Sequence, residues 1–475
     1  MIKKLSIDDK DYITELEGLF PEIFSIQSIS NDLENNPYSR YLIYLEDDKI
    51  IGYINYYLIY ERGEIVNFNI LSNYQNLGIG TKLLKEAIKE CKDLSSISLE
   101  VRDDNCNAIH LYEKYGFKTV SIRKNYYNDG VDGLLMVKEI NNKDVYILGI
   151  ESSCDETSFS IVKNGVTELA TVISTQIDIH KDYGGVVPEI ASREHVKNVS
   201  FVLEECLEKA CMRMEDIDAI AIANGPGLIG SLLVGLEAGK TLSWLYNKPL
   251  VPVHHIAGHI YANNLVKRME FPLMCLVISG GHTELVYMKD DYSFEKLGGT
   301  LDDAVGECYD KVGKCVNLDY PAGPKIDKAA KLGQPSYKLP MPLNDDSYNF
   351  SFSGLKSAVI NLCHNEEQRG ESVNVNDLCC SFQKIVESTL VKKTMKAMED
   401  YDCKNLILAG GVSANTGIRD AFKEACEKRK INYTFPDLKY CTDNAAMVAA
   451  AGYYAYKIGR RADLTLNAQS TMELK

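Results

Sequence analysis

The sequence predicts an α/β protein built from more than one folding unit. Apolar strand-like runs alternate with segments of helical period, and several of those runs end in glycine. At 475 residues the chain is also longer than one ordinary domain. Apolar content of 45% and charged content of 25% allow sizeable cores. Acidic residues outnumber basic ones, 67 to 52, for a formal net charge of −15. That balance argues against broad nucleic-acid binding, and leaves room for an RNA met through a local basic patch or a partner.

The first ten residues are interrupted by charges, so no signal peptide is read there, and no run is long enough to span a bilayer. The fourteen cysteines are scattered with no CxxC pair. The expectation is a cytoplasmic enzyme with reduced thiols and no membrane contact. Residues 41–45, 50–59 and 65–70 read as strands, 81–92 as a helix, 97–101 as a strand, 108–115 as a helix and 134–137 as a strand. A polar, turn-prone stretch over 138–144 then precedes a new apolar strand over 145–150. The domains are therefore placed at 1–141 and 146–475, with a linker over 142–145. Beyond it, residues 219–225, 275–281 and 405–411 each read as a strand ending in glycine, in the arrangement that places phosphates at the start of a helix.

The first candidate site follows the strand ending near Ile70. Gln75, Asn76, Leu77, Gly78, Ile79 and Gly80 precede a helix from Thr81. Glycines there allow a tight turn and leave amides unblocked for a pyrophosphate, although such a pair can equally serve only the turn. Glu100 ends the next strand, Asn105 opens a helix bearing Tyr112, and Gly116-Phe117 and residues 122–127 (IRKNYY) follow. This set resembles the GNAT acetyltransferase superfamily and, within it, the RimI-type protein N-terminal acetyltransferases. The resemblance implies a GNAT fold and transfer of acetyl from acetyl-CoA to an N-terminal amine, in the family usually that of a ribosomal protein. It implies Glu100 as base and Tyr112 as proton donor to the leaving thiolate. By the same resemblance Ile70, Leu71 and Ser72 meet the pantetheine arm, Asn76 to Thr81 hold the pyrophosphate, and Asn105 contacts the cofactor. The loop between Ile70 and Gln75 is short for the family. On residue chemistry alone, Tyr112 is also readable as a core aromatic.

The second unit carries denser signals. Residues 149–157 (GIESSCDET) lie between two strands and suit phosphate or metal contacts, or form an exposed polar hairpin. Residues 277–283 (VISGGHT) and 408–415 (LAGGVSAN) repeat the glycine turn, which suggests one nucleotide gripped between two lobes. His255 and His259 stand four apart, on one face of a helix, able to share a metal or to be an ordinary histidine pair. Ile256 stands where a zinc peptidase of HExxH type needs its glutamate. With residues 182–189, 224–227, 319–324 and 349–354, the segment resembles the TsaD family of tRNA threonylcarbamoyl transferases, on the two-lobed actin-like ATPase (ASKHA) fold.

That resemblance implies one divalent metal, Fe(2+) in preference to Zn(2+), on His255, His259 and Asp443. It places threonylcarbamoyl-AMP against Val277, Ile278, Ser279, Gly280, Gly281, Asp310, Gly323, Asp327 and Asn415. The acceptor is N6 of the adenosine beside the anticodon of tRNA reading A-starting codons. Asp155 and Glu156 are candidate bases. The family usually carries glycine where Ala322 stands. No GxxxxGK[ST] loop is present, so a separate enzyme is expected to make the intermediate. The family also implies a non-catalytic paralogue and a small ATPase as partners. Residues 427–430 and 459–461 are basic clusters, readable as RNA contacts or as solvated faces. Rival readings are a glycoprotease-type metallopeptidase or an actin-fold small-molecule kinase for the second unit, and a binding module without activity for the first.

Overall fold

The computed structural model describes all residues except 22, 25, 60, 61, 93, 141–143 and 475, together with the side chains of 26–28. Two compact units emerge, Met1–Lys143 and Asp144–Lys475. Residues 142 and 143 of the expected linker lie outside the described residues.

The first unit is a seven-stranded sheet in the order Ile2–Lys4, Ser39–Glu46, Lys49–Ile59, Arg62–Ile70, Ser96–Arg102, Gly133–Glu139, Lys118–Arg123. Helices Lys10–Leu19 and Ile26–Asn35, which the sequence reading had not assigned, cover one face. Ile79–Glu90 and Cys106–Lys114 cover the other. Strands Arg62–Ile70 and Ser96–Arg102 pair in parallel only from Arg62↔Ser96 to Ile65↔Leu99. Val66 is an extra residue against the neighbouring strand, since Asn55 faces Asn67 and Tyr56 faces Ile65. A bulge of this kind bends its strand and ends pairing locally. Beyond it the two strands part.

The second unit repeats one topology twice. Strands Thr167–Thr175, Glu156–Lys163, Tyr146–Glu151, Ala219–Gly225 and Leu250–His254 form a sheet in that order. Glu295–Gly299, Thr283–Met288, Leu273–Ile278, Asn405–Ala409 and Asn432–Thr434 form another with the same order and the same mixture of directions. This is the doubled, actin-type arrangement. The central strand Leu273–Ile278 is apolar and buried throughout, as expected of a strand covered on both faces. Helices His255–Tyr261 and Ala445–Lys457 join residues of both sheets in one core. Pro188–Ala210 and Ile229–Tyr246 cover the outer face of the first sheet. Val305–Cys315, Ser353–Gln368, Val375–Asp400 and Thr416–Arg429 cover the second.

One expectation needs correction. The run ending at Gly281 does not open a helix: Leu273–Ile278 turns at the glycines into Thr283–Met288 as a hairpin, with Ile278 facing Thr283. The turn closes on itself, Ser279 N–H donating to His282 carbonyl at 2.8 Å and His282 N–H to Ser279 Oγ at 3.1 Å. Among the described residues no helix is long and apolar enough to cross a membrane.

Candidate active sites

In the second unit, small residues bring the three metal-type ligands together. A Cβ on Gly149 would stand 2.3 Å from the Ala445 carbonyl oxygen, and one on Gly452 would stand 2.2 Å from Ala221 Cβ. Only glycine lets the alanine-rich helix Ala445–Lys457 lie this close on the first sheet. Gly149 is therefore a packing glycine and not a ligand turn. The seating fixes Asp443, just ahead of that helix. His255 and His259 sit one turn apart on His255–Tyr261, which follows directly from strand Leu250–His254.

Asp443 Oδ1 lies 3.1 Å from His259 Nε2 and 3.5 Å from His255 Nε2. The three ligand atoms fall within 4.8 Å of one another. The remaining nitrogen of His255, Nδ1, is 3.1 Å from Glu151 Oε2 and 3.1 Å from Ser153 Oγ. Glu151 is fully buried, and its other oxygen accepts from Ser153 N–H at 2.6 Å. Burial opposes charge on His255, yet Asp443 and Glu151 overcome it and push the imidazole up to about 9. Burial likewise opposes charge on Asp443, and the histidines hold it well below the usual carboxylate range. Two carboxylates thus demand a cation here. Two imidazoles and a carboxylate are a donor set that suits Fe(2+) or Zn(2+), and a buried carboxylate behind one histidine is the usual support for such a ligand. Burial, Asp443 and Asp155 raise Glu156 well above an ordinary glutamate.

The residues expected to meet the nucleotide form a second group. Gly280, Gly281, Gly323 and Gly411 have no positive φ and no atom within 4 Å of a would-be Cβ. Neither backbone strain nor neighbours require glycine at these places, so the open space beside them is a cradle a side chain would fill. The turns converge. A Cβ on Gly410 would meet the Ile278 carbonyl at 2.5 Å, and one on Gly306 the Ser279 carbonyl at 2.6 Å. Val277 and Ile278 bury their side chains in the cores, which leaves Ser279, Gly280 and Gly281 as the exposed part of that stretch. Asp310 accepts the Ala322 N–H at 2.8 Å and holds the start of helix Gly323–Ala330. Asp327 caps Thr416–Arg429, accepting from Thr416 Oγ1 at 2.7 Å and Gly417 N–H at 3.1 Å. Asn415 caps the same helix and donates to Gln383 Oε1 at 3.1 Å. Asp327 and Asn415 therefore shape the wall. Ala322 has φ −85°, a right-handed angle that needs no glycine, and packs where Gly313 leaves room.

The sequence reading missed Glu151 and Gln383 as supports. Glu151 lay inside the quoted stretch, but nothing in its spacing pairs it with a histidine 104 residues away. The arginines of the basic clusters have partners within the chain: Arg460 stacks on Tyr292, Arg461 on Tyr456, and Arg429 meets Glu399 at 3.5 Å.

In the first unit Gly78 has φ 77° and starts helix Ile79–Glu90, with Asn76 also left-handed at φ 61°. No atom lies within 4 Å of where a Gly78 side chain would stand, so the space beside the loop is open there. Leu71 has both backbone groups engaged, N–H to Ile51 at 3.0 Å and carbonyl from Tyr74 at 2.8 Å. Ser72 opens the short turn Ser72–Tyr74. Asn105 caps helix Cys106–Lys114 through Ala108 N–H at 3.2 Å. Tyr112 is buried against Phe68 and Phe117, and burial pushes its phenol well up. Glu100 lies just past the last pair with strand Arg62–Ile70 and bonds Arg123 at 2.6 Å. It also meets the Tyr126 hydroxyl.

Residues 167–450 match the family model described as TsaD, tRNA N6-adenosine threonylcarbamoyltransferase, and residues 9–117 match that of the acetyltransferase (GNAT) family. A tRNA N6-adenosine threonylcarbamoyltransferase of Staphylococcus carnosus is 54% identical over 335 residues, 70% of this chain and 98% of the relative. One of Bacillus subtilis is 55% identical over 334 residues, 70% of this chain and 96% of the relative. Among solved structures, the ribosomal-protein-S18-alanine N-acetyltransferase from Escherichia coli matches 30% of this chain and 95% of its own at 26% identity, TM-score 0.26.

Proposed function

The chain belongs to the tRNA N6-adenosine threonylcarbamoyltransferase (TsaD) family, with a GNAT acetyltransferase domain ahead of that region, and from this premise we propose how each unit works. The larger unit moves the threonylcarbamoyl group of threonylcarbamoyl-AMP to N6 of the adenosine beside the anticodon, in tRNA reading A-starting codons. The observation that carries this reading is the joint presence of the His255, His259 and Asp443 triad and an open glycine cradle in one unit. The N6 amine attacks the carbamoyl carbon, the bond from that carbon to the phosphate oxygen breaks, and AMP leaves with the electron pair. Ser279, Gly280, Gly281 and Gly323 receive the nucleotide, within walls set by Asp310, Asp327 and Asn415. Asp155 or Glu156 accepts the proton that N6 gives up. A divalent ion held by the triad, iron in preference to zinc, would supply Lewis-acid polarisation of a substrate oxygen.

The missing phosphate-binding lysine loop leaves synthesis of the intermediate to another enzyme. A non-catalytic paralogue would be one partner, and helices Pro188–Ala210 and Ile229–Tyr246 offer a surface to receive it. Here that pair exposes Phe201 by 71% and Trp244 by 72%, a surface suited to helix-on-helix docking. A small ATPase completes the complex, in the cytoplasm. The peptidase rival lacks the glutamate of an HExxH site: Ile256 stands there, packed in the core.

The smaller unit acetylates a protein N-terminal amine of ribosomal-protein type. Glu100 takes the proton of the amine, Tyr112 protonates the leaving thiolate, and the loop Asn76 to Thr81 holds the pyrophosphate of acetyl-CoA. Two measurements test these readings. Expression of the chain in bacteria depleted of their own threonylcarbamoyltransferase is expected to restore threonylcarbamoyladenosine in bulk tRNA, and a tRNA pool that stays unmodified contradicts the first. Glu100→Gln is expected to abolish acetyl transfer while acetyl-CoA still binds, and transfer at the parental rate contradicts the second.

A further inference from the structure

Strand alternation sorts the first unit's site into two faces. Directly paired residues share a face, so Asn69 stands with Tyr53 and Asn67 with Asn55. Glu64 pairs with both Tyr57 and Ser98, which puts Glu100, two residues on from Ser98, on that same face. Phe68, Leu99 and Tyr112 lie on the opposite face, in the core beneath helix Ile79–Glu90. The cofactor loop and the proton donor thus serve one side of the parted strands. Asn67, Asn69 and Glu100 line the other.

Asn69 is held in place. Its Nδ2 donates to the Tyr53 hydroxyl at 3.2 Å. Tyr53 is fully buried, with Phe20 and Phe24 each 5.0 Å from its ring, and its burial keeps the phenol protonated. With the nitrogen so engaged, Oδ1 of Asn69 is left as an acceptor next to Ile70, on the face that carries Glu100.

We propose that Asn69, oriented by Tyr53, binds the incoming acceptor amine, an inference that rests on the acetyl-transfer reading of this unit. Oδ1 accepts one N–H while Glu100 takes the proton lost as the nitrogen attacks. The new N–C bond forms as the C–S bond breaks, and the sulfur leaves with the electron pair to be protonated by Tyr112. Acceptor and cofactor enter from opposite faces of the sheet, so Asn69 affects one and not the other.

The test is steady-state kinetics of the full chain with acetyl-CoA and a synthetic peptide bearing a free N-terminal alanine. Asn69→Leu is expected to raise the KM for peptide by ~tenfold, the loss of one hydrogen bond to a charged or developing-charge group, with the KM for acetyl-CoA unchanged. Asn69→Asp, which keeps an oxygen in place, is expected to recover most of that loss, and Tyr53→Phe to fall between. An unchanged peptide KM in Asn69→Leu overturns the proposal. A rise in both KM values also overturns it, because Asn69 then only supports the strand. If the parent binds acetyl-CoA and transfers nothing to any peptide amine, the acetyl-transfer reading falls and takes this proposal with it.

Discussion

At the scale of single residues, the charge balance around His255 decides the metal site. The imidazole lies between Asp443 and Glu151, so a bound cation replaces the proton that these carboxylates otherwise hold there. Glu151 acts from behind the ligand, and Glu151→Gln is expected to weaken metal affinity by about 10- to 100-fold without removing a ligand, measured as metal retained against a competing chelator. His255 and His259 were readable from their spacing, because four residues make one helical turn. Asp443 came only through family resemblance, since it reaches the histidines across the fold. Glu151 was missed because a strand-end carboxylate gives no sign of what will pack over it.

At the scale of elements, glycines separate into two kinds that look alike in sequence. Gly149 and Gly452 are filled from below by helix Ala445–Lys457 and strand Ala219–Gly225 respectively, whereas Gly323 faces open space. Gly149→Ala is therefore expected to destabilise the second unit by about 1–3 kcal/mol through overpacking. Gly323→Ala is expected to leave the melting temperature unchanged and to weaken binding of threonylcarbamoyl-AMP by roughly tenfold or more. Thermal melts beside ligand titration distinguish them. A second element contact ties strand Thr167–Thr175 to the turn ahead of Asp443. Glu168 bonds Lys439 at 2.5 Å and the Tyr440 hydroxyl. Burial opposes its ionisation, but Lys439, Thr171 and Tyr440 outweigh that and hold the carboxyl below its ordinary value of 4.5. Its stabilising contribution is thus complete above that value and lost as pH falls through the folded one. Glu168→Gln is expected to lower the melting temperature at pH 7, and the gap from the parent is expected to close on acidification. The strands and helices near the glycine loops were legible from periodicity. Helices Lys10–Leu19 and Ile26–Asn35 were not, because short polar-rich helices gain their stability from packing on the sheet and not from local sequence.

At the scale of the whole molecule, the two units have separate cores. No buried cluster among the described residues draws on both. Fragments 1–143 and 144–475, expressed apart, are each expected to fold with a cooperative melt, the first binding acetyl-CoA and the second the metal. Two lobes were suggested by the recurring glycine turns, whereas the matching strand order of the two sheets was anticipated only through resemblance, because strand order leaves no mark in local sequence. What the topology achieves is to set the triad beside the core shared by both sheets, with the glycine cradle on the second. The most direct test is transfer itself. The purified chain, loaded with metal and supplied with its partner proteins, is given threonylcarbamoyl-AMP labelled in the carbamoyl carbon and unmodified tRNA, beside Asp443→Asn. Label appearing in adenosine of the parent reaction and lost in the variant is the predicted result. Label remaining in the intermediate with the parent, or reaching tRNA equally well with Asp443→Asn, contradicts the account.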